Sequence, residues 1–262
     1  MSSIKLWYSP GACSLATHIL LKETGTEFEG IRIGSKQGLP DEFRRINPRM
    51  KVPVLSVDGE IITETPAIMT AISQLSPDRH LFGTSDTEIV KSYEWSNWLS
   101  GTVHGQGFGG LFRPARFSDV VSMHAAIQDK GWKTVQECFE IIEAGLSAVH
   151  AVGKNFTVVD PYLYVFYRWG VDNGADMAAR YPKYARLVVE LMKRPAVLAA
   201  LEAEGILSHA PKLSDIHAHK QTVAYQVLVE QQVPPGWRRE QIQSRKTPFE
   251  NKLLRNESVQ LS

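Results

Sequence analysis

The sequence predicts a small α/β domain followed by an all-helical domain. Strand and helix patterns alternate from residue 4 to residue 76. A polar stretch at 76–86, rich in Ser, Pro, Asp and Gly, is typical of a linker. Beyond it strand patterns are absent and helical patterns recur, which favours a helical second domain. The chain has 262 residues, of which 43% are hydrophobic, so it has ample material for a core and room for one large or two smaller domains.

Six elements are predicted in the first domain. Residues 4–8 are apolar and β-prone and end at Pro10-Gly11, while Asp58-Gly59 is a strong hairpin signal. Pro66 suits the first turn of a helix. The predicted elements are a strand at 4–8, a helix at 13–22, a strand at 27–34, a short helix at 39–48, a two-stranded hairpin at 52–64 and a helix at 65–76.

The second domain is predicted to be helical and to be followed by an extension. Apolar residues recur at helical spacing over 87–104, 118–150, 160–173, 181–192 and 195–204. We therefore expect domains at 1–82 and 87–207 and an extension of uncertain structure at 208–262. Charges of alternating sign in the extension favour a solvated face. Folding back over the domain or over a neighbouring subunit stays an open alternative.

Charge and cysteine content narrow the class of protein. The formal net charge is +1, which gives no reason to expect a nucleic acid or an anionic membrane surface as partner. The chain has two cysteines, Cys13 and Cys138, which cannot form a stabilising disulfide framework for a chain of this length. So low a cysteine content favours a protein of a reducing compartment. The first residues lack a signal-peptide pattern, and no run approaches the length of a membrane helix. We therefore expect a cytoplasmic protein.

Tyr8, Cys13 and Ser14 gather where the first strand gives way to the first helix. Lowering a thiol pKa by two units requires roughly 2.7 kcal/mol. A helix N-terminus supplies ~0.3–1 kcal/mol, and each charge-assisted hydrogen bond adds ~1.5–3 kcal/mol. The cluster therefore suits a thiolate, either a bound one or that of Cys13. In isolation, the three residues are more typical of a packing tyrosine, a helix cap and a small apolar cysteine.

Four stretches in register give the chain a family resemblance. "YSPGACSLATHILLKE", "NPRMKVPVL", "ITETPAIMTAISQL" and "FTVVDPYLYVFYRW" make residues 4 to 205 resemble a cytosolic glutathione transferase. The motif around Tyr8, Cys13 and Ser14 is most similar to the Beta-type enzymes. The resemblance implies a thioredoxin-like first domain, glutathione as co-substrate, a homodimer and a small-molecule apolar electrophile as second substrate.

The resemblance also implies roles for residues outside that first motif. In the family, the bond that corresponds to Val52-Pro53 is cis, and the backbone of the residue before the proline pairs with the cysteinyl part of glutathione. Glu64 and Thr65 would bind its γ-glutamyl end, and Lys36 and Lys51 are candidates for its glycyl carboxylate. His104 would lie near the sulfur, and Asn97 would reach the ligand of a neighbouring subunit. Thr157 and Asp160 would form a buried capping box.

Two departures from the family pattern bear on the second substrate. Met50 stands where the family more often has glycine. Four glycines in "HGQGFGGLFRP" (104–114) lower helix propensity, which predicts a break or a widening there. The hypothesis is a roomy pocket for a bulky acceptor, lined by Phe108, Phe112 and Phe117. A close, glycine-dependent contact between helices is the alternative.

Four functions follow from this interpretation. The first is transfer of glutathione to an apolar electrophile, with Tyr8, Cys13 and Ser14 around the sulfur and His104 next to it. The same thiol would serve a double-bond isomerase without consuming glutathione. Cys13 would itself be the nucleophile in thiol-disulfide exchange if its sulfur were exposed. A non-catalytic glutathione-binding protein is the fourth. The sequence shows no pattern for a nucleotide cofactor or a metal, and "HAH" at 217–219 lacks a third spaced ligand.

Overall fold

The computed structural model describes residues 2–34 and 38–209. Lys36, the histidines at 217 and 219, and all but the first two residues of the predicted extension lie outside the described residues. The described strands are β1 (Ile4–Tyr8), β2 (Glu29–Arg32), β3 (Val54–Val57) and β4 (Glu60–Thr63). They form one mixed sheet in the order β2-β1-β3-β4, in which β1 and β2 are parallel and β3 is antiparallel to both β1 and β4.

Helices account for the rest of the fold. In the first domain they are α1 (Ser14–Thr24) and α2 (Thr65–Leu75), with 3-10 turns at Asp41–Arg45 and Pro77–Arg79. The helical region holds α3 (Asp86–Trp98), a π-helical segment (Leu99–Phe108), α4 (Gly109–Phe112), α5 (His124–Gly145), α6 (Val159–Asp172), α7 (Met177–Arg180), α8 (Pro182–Leu191) and α9 (Pro195–Glu204), with 3-10 turns at Pro114–Arg116, Val121–Met123 and Leu207–His209. The predicted thioredoxin-like domain followed by a helical region is confirmed.

Alternation along β1 decides which side chains face the helices. Ile4, Leu6 and Tyr8 belong to the main core, whereas Trp7 joins a smaller one with Phe43 on the opposite face of the sheet. Helix α1 lies on the main-core side and packs against α2, α6 and α9. Tyr8 therefore points toward α1 and the helical region.

The boundaries of three predicted helices are wrong. The helix expected at 39–48 is a single 3-10 turn, and the one expected at 118–150 is confined to α5 because the chain becomes extended at Leu146. The helix expected at 87–104 ends as α3 at Trp98 and continues as the π-helical segment. The predicted widening is thus present, although it begins before the glycine-rich stretch.

The glycine-dependent contact, which was the alternative to a roomy pocket, is present. A Cβ at Gly131 of α5 would lie 2.6 Å from the backbone N of Leu111 and 2.8 Å from the carbonyl O of Gly107. Gly110 approaches Gly131 in the same way, with its own Cβ placed 3.3 Å from the Gly131 Cα. Glycine on both sides lets α5 pack directly against the backbone of the π-helical segment and α4.

One half of the predicted capping box is confirmed. Asp160 is fully buried, and its Oδ2 accepts from the backbone N–H of Thr157 at 2.7 Å. The other half is wrong, because the Thr157 hydroxyl donates to the same carboxylate at 3.4 Å and does not accept from the Asp160 N–H. That N–H bonds the Thr157 carbonyl, and the second carboxylate oxygen accepts from Ala151 N–H at 3.0 Å. Asp160 therefore ties the preceding loop to α6.

Candidate functional site

A cavity of about 340 Å³ lies between the first domain and the helical region. This volume is within the range of small-molecule sites in proteins. One wall is formed by the loop that precedes α1, the loop that precedes β3 and the first residues of α2. The other wall comes from the π-helical segment, α4 and the turn that follows it, together with Trp169 of α6.

Of the three residues in the opening cluster, Cys13 lines the cavity. It occupies the N-cap position of α1, and its Sγ donates to the carbonyl O of Val52 at 3.3 Å. Burial raises the pKa of this thiol to about 11, although the backbone amides of Cys13 and Ser14 and the Arg113 guanidinium act in the opposite direction. Desolvation thus outweighs the helix terminus and favours the protonated thiol at Cys13, which leaves a bound thiolate as the other alternative. The sulfur is also too buried for the exposed nucleophile that thiol-disulfide exchange requires.

Tyr8 and Ser14 lie outside the cavity wall. The Tyr8 ring packs 5.0 Å from the His18 ring, and burial together with the nearby Glu204 raises the pKa of its hydroxyl. The Ser14 hydroxyl is fully buried and bridges the backbone of Ser9, accepting from its N–H and donating to its carbonyl, each at 3.2 Å. Both residues were predicted to lie around a sulfur; in the structure Ser14 bonds the loop backbone at Ser9, Tyr8 packs on His18, and neither lines the cavity.

Gly11 is held by two side chains of the helical region. Its N–H donates to Glu204 Oε2 at 2.8 Å, and its carbonyl accepts from Trp169 Nε1 at 2.9 Å. The residue has φ 70°, and a Cβ there would lie 2.7 Å from an Arg168 guanidinium nitrogen, so the position requires glycine. The other oxygen of Glu204 pairs with His18 Nδ1 at 3.0 Å, and both side chains are buried. Glu204 and Trp169 were not predicted from the sequence, because nothing in the local pattern of α9 or α6 marks a partner near residue 11.

The loop before β3 presents backbone groups to the cavity. The Asn47 side chain orders it by donating to the Lys51 carbonyl at 2.8 Å and accepting from the Arg49 N–H at 3.0 Å. Met50 has φ 51°, which lies in the left-handed region that favours glycine, and this explains why glycine suits the position. The Val52-Pro53 bond is cis, as the resemblance predicted, and Lys51, Val52 and Pro53 all line the cavity.

Glu64 and Thr65 line the cavity at the start of α2. Glu64 has φ 69°, and its carboxylate pairs with an Arg49 guanidinium nitrogen at 3.1 Å. Thr65 is buried in the first turn of the helix, where backbone N–H groups lack intrahelical acceptors. The pair therefore offers an acidic group and a helix N-terminus side by side.

His104 faces the cavity from the π-helical segment. Its ring lies 5.5 Å from the Trp169 ring and 6.0 Å from the Phe166 ring. Burial, reinforced by the positive charges of Arg113, Arg116 and Lys51, lowers the pKa of His104 to about 4. At neutral pH the imidazole is therefore uncharged and can donate or accept a hydrogen bond.

Two of the three predicted phenylalanines line the cavity. Phe108 is buried, and Phe112 stacks on it with ring centroids 5.4 Å apart. Phe117 does not line the cavity and is half exposed, because the chain turns at Pro114–Arg116 and directs it onto the outer side of Gly109. Asn97 lies on α3, exposed and away from the cavity wall.

Arg113 and Arg116 line the cavity and were not predicted from the sequence. They flank the Pro114–Arg116 turn, a stretch that as sequence alone resembles any polar, proline-containing surface loop. Their electrostatic influence extends to Cys13 and His104. Within the described residues, no group of His, Cys, Asp and Glu side chains has an arrangement that suits a metal ion.

Comparison with known proteins gives a consistent family. Residues 2–74 match the family model described as "Glutathione S-transferase, N-terminal domain". The chain is similar to glutathione S-transferase GstA of Escherichia coli O157:H7, with 33% identity over 209 residues that cover 78% of this chain and all of the relative. It also aligns with a sphingomonad glutathione S-transferase crystallised with glutathione, at 36% identity and a TM-score of 0.65, covering 77% of this chain and 99% of that one.

A relative with a different name matches over most of its length too. A Caenorhabditis elegans protein named probable maleylacetoacetate isomerase is 24% identical over 212 residues, which cover 74% of this chain and 89% of the relative. The match to the E. coli protein is closer and complete over that protein's length. On this similarity, the chain belongs to the glutathione S-transferase family.

Proposed function

We propose that the cavity binds glutathione, keeps its sulfur in a reactive state and directs it to an electrophilic second substrate. The observation that carries this proposal is the convergence in one cavity of the Val52 backbone, the start of α2, Cys13 and His104. These groups match the separate parts of a γ-glutamyl tripeptide. Glutathione supplies the nucleophilic sulfur, and the residues of the chain bind it, orient it and control its protonation.

The peptide part of the ligand has a partner for each end. Val52 offers its main chain for extended pairing, which recognises a peptide without a side chain. Glu64 carries a charge suited to an ammonium, and the N-terminus of α2 at Thr65 suits a carboxylate. Lys51 lines the cavity as a partner for the second carboxylate, and Lys36 stays a prediction for the same role.

Two uncharged hydrogen-bond donors, Cys13 and His104, are assigned to the sulfur of glutathione. The raised pKa of Cys13 keeps its thiol protonated, so it acts as a donor and not as the nucleophile. A neutral His104 can donate an N–H to a negatively charged sulfur. Tyr8 and Ser14 act indirectly, by supporting the loop that carries Cys13.

Isothermal titration calorimetry with glutathione tests the binding mode. We expect Glu64→Gln to weaken binding by about tenfold or more, since the charge that meets the ammonium is lost. Glu60→Gln is the matched control, because Glu60 lies exposed on β4 and does not line the cavity. Equal affinities for Glu64→Gln and Glu60→Gln would contradict the assignment. Binding with no turnover of any electrophile would instead support the non-catalytic function.

Isomerisation is the second candidate, because of the isomerase-named relative. The same cavity residues would serve both reactions, since both need a reactive sulfur. Measuring the ratio of glutathione consumed to product formed separates them. A ratio near unity supports transfer, and catalytic use of glutathione supports isomerisation.

A homodimer and a cytoplasmic location belong to the proposal. On α3, Val90, Tyr93 and Asn97 follow one another at helical spacing on an exposed face, and Val90 is 65% exposed. This is the face that would meet a second copy, and Val90→Glu should increase the monomer fraction in light scattering.

No helix among the described residues has the length and hydropathy to cross a membrane. We also retain the proposed domains at 1–82 and 87–207 and the extension at 208–262.

A further inference from the structure

We propose that the second substrate carries a carboxylate beside its apolar body, and that Arg113 and Arg116, the arginine pair, bind this carboxylate. The inference rests on the proposed function, because it assigns the part of the same cavity that glutathione leaves free. It also changes the sequence-based expectation, which was an acceptor of purely apolar character.

Local geometry directs the two arginines to the same side. The Arg116 N–H donates to the Arg113 carbonyl at 3.0 Å across the Pro114–Arg116 turn. The turn comprises Pro114–Arg116 and Arg113 is its N-cap residue, so one short turn of backbone separates the two side chains. Both side chains line the cavity, together with His104 and Phe112. The turn therefore presents two guanidinium groups to one space.

The arginine pair has no anionic partner among the residues that the structure describes. Neither arginine takes part in an ion pair within 4 Å among the described residues. Of the described residues that line the cavity, Glu64 alone is acidic, and it pairs with Arg49. The two charges also act on each other: although Arg116 is largely exposed to solvent, partial desolvation and then the charge of Arg113 lower the pKa of its guanidinium. Two neighbouring cations in a concave site are stabilised when an anion binds between them.

The surroundings of the arginine pair indicate which anion binds. The two carboxylates of glutathione already have candidate partners on the opposite wall, at Thr65 and Lys51. The arginine pair shares its wall with Phe108, Phe112 and Trp169, whose rings form an apolar surface. A planar guanidinium binds a carboxylate through two parallel hydrogen bonds. A substrate with an apolar body and an attached carboxylate would fit both the aromatic surface and the two guanidinium groups.

A pair of acceptors that differ in one charge tests the inference. A chlorodinitrobenzoate and its methyl ester react with glutathione by the same substitution, and the ester removes the negative charge. We expect the wild-type kcat/KM to favour the acid over the ester, and this preference to fall by about tenfold or more in Arg113→Gln and in Arg116→Gln. Arg45→Gln removes an equal charge from an exposed position outside the cavity and should leave both rates unchanged.

Binding measurements separate this inference from the proposed function. Fluorescence titration with an unreactive nitrobenzoate and its methyl ester, in the absence of glutathione, reports on the arginine pair alone. A preference for the acid that both arginine variants lose supports the inference even if no conjugation is found. Equal binding of acid and ester overturns it while leaving glutathione binding untouched. Loss of glutathione affinity in calorimetry of the variants, with the acid preference kept, also overturns it, because the pair would then serve glutathione.

Discussion

Gly131→Ala should destabilise the protein although alanine is the better helix former. The substitution adds one methyl group to the middle of α5, where it faces the backbone of the π-helical segment and α4. The new Cβ would lie 2.6 Å from Leu111 N, 2.8 Å from Gly107 O and 2.9 Å from the carbonyl carbon of Gly110. All three atoms are main chain and have no rotamer through which to move aside.

The magnitude follows from two opposing effects. Replacing glycine by alanine within a helix stabilises it by ~1 kcal/mol. Normal contact distances are ~3.5–4 Å, so the helices would have to separate by about 1 Å, and overpacking of this kind costs ~1–3 kcal/mol. Because the obstacles are backbone atoms, we expect the upper end of that range. The net loss in the free energy of unfolding is then about 2 kcal/mol.

Urea unfolding of the full chain measures this loss. Gly101→Ala is the matched control, since a Cβ at Gly101 of the π-helical segment meets no atom within 4 Å. The control should be as stable as the wild type or slightly more so. Displacement of the segment that carries His104 should also lower kcat/KM for Gly131→Ala. If Gly131→Ala unfolds at the wild-type urea concentration or above it, the close helix contact is not rigid and the reasoning fails.

Three further predictions concern residues in and around the site. Cys13→Ala should keep turnover within about a factor of ten, because a thiol held protonated is a donor and not the nucleophile; abolished turnover in steady-state assays would restore the nucleophile hypothesis. Burial lowers the pKa of His104 from 6.5 to about 4, so the unfolded chain binds the proton more tightly than the folded one. The free energy of unfolding of the wild type should therefore fall by up to roughly 3 kcal/mol as the pH is lowered from 6.5 to 4. Urea titrations of His104→Gln should lack this component, and identical pH profiles for the two proteins would exclude it. Asp160→Ala leaves the amides of Ala151 and Thr157 without their acceptor and should cost about 2–4 kcal/mol in the same assay, whereas a loss below about 1 kcal/mol would mean that water replaces the carboxylate.

The fold was predictable because its signals are local. Period-two and helical spacings, Asp58-Gly59 and Pro66 each specify an element within a few residues of themselves. The π-helical segment was predicted only as a break or a widening of a helix. Glycine content lowers helix propensity, but it does not indicate which irregular helix takes the place of an α-helix. The short helix α7 has no signal of comparable strength.

The site was predictable to the extent that backbone elements form it. Val52, Glu64 and Thr65 lie at element ends that the family motif already marks, and all three line the cavity. Tyr8 was predicted to lie by the sulfur from its place in the motif, and it does not line the cavity. Alternation along β1 turns its ring toward α1, on the side opposite to Trp7.

The arginine pair shows why the rest was not predictable. Arg113 and Arg116 gain significance only when the helical region packs on the first domain, and no residue near them in sequence reports that contact. An exposed arginine in a proline-containing turn is ordinarily a solvated residue. The proposed role follows only when the same turn is found to line a cavity that contains Cys13 and His104.

The two regions of the chain depend on each other at Gly11. Glu204 and Trp169 bind the N–H and the carbonyl of this residue from α9 and α6, so the loop that carries Cys13 is fixed by the helical region. A loop bonded through both the N–H and the carbonyl of one residue has little freedom, and a fixed donor needs no reorganisation when charge develops beside it. Packing of the helical region therefore has a direct consequence for the chemistry of the first domain. Variants that loosen α9 should weaken activity before they unfold the sheet, because the loop depends on Glu204 whereas the strands pair among themselves.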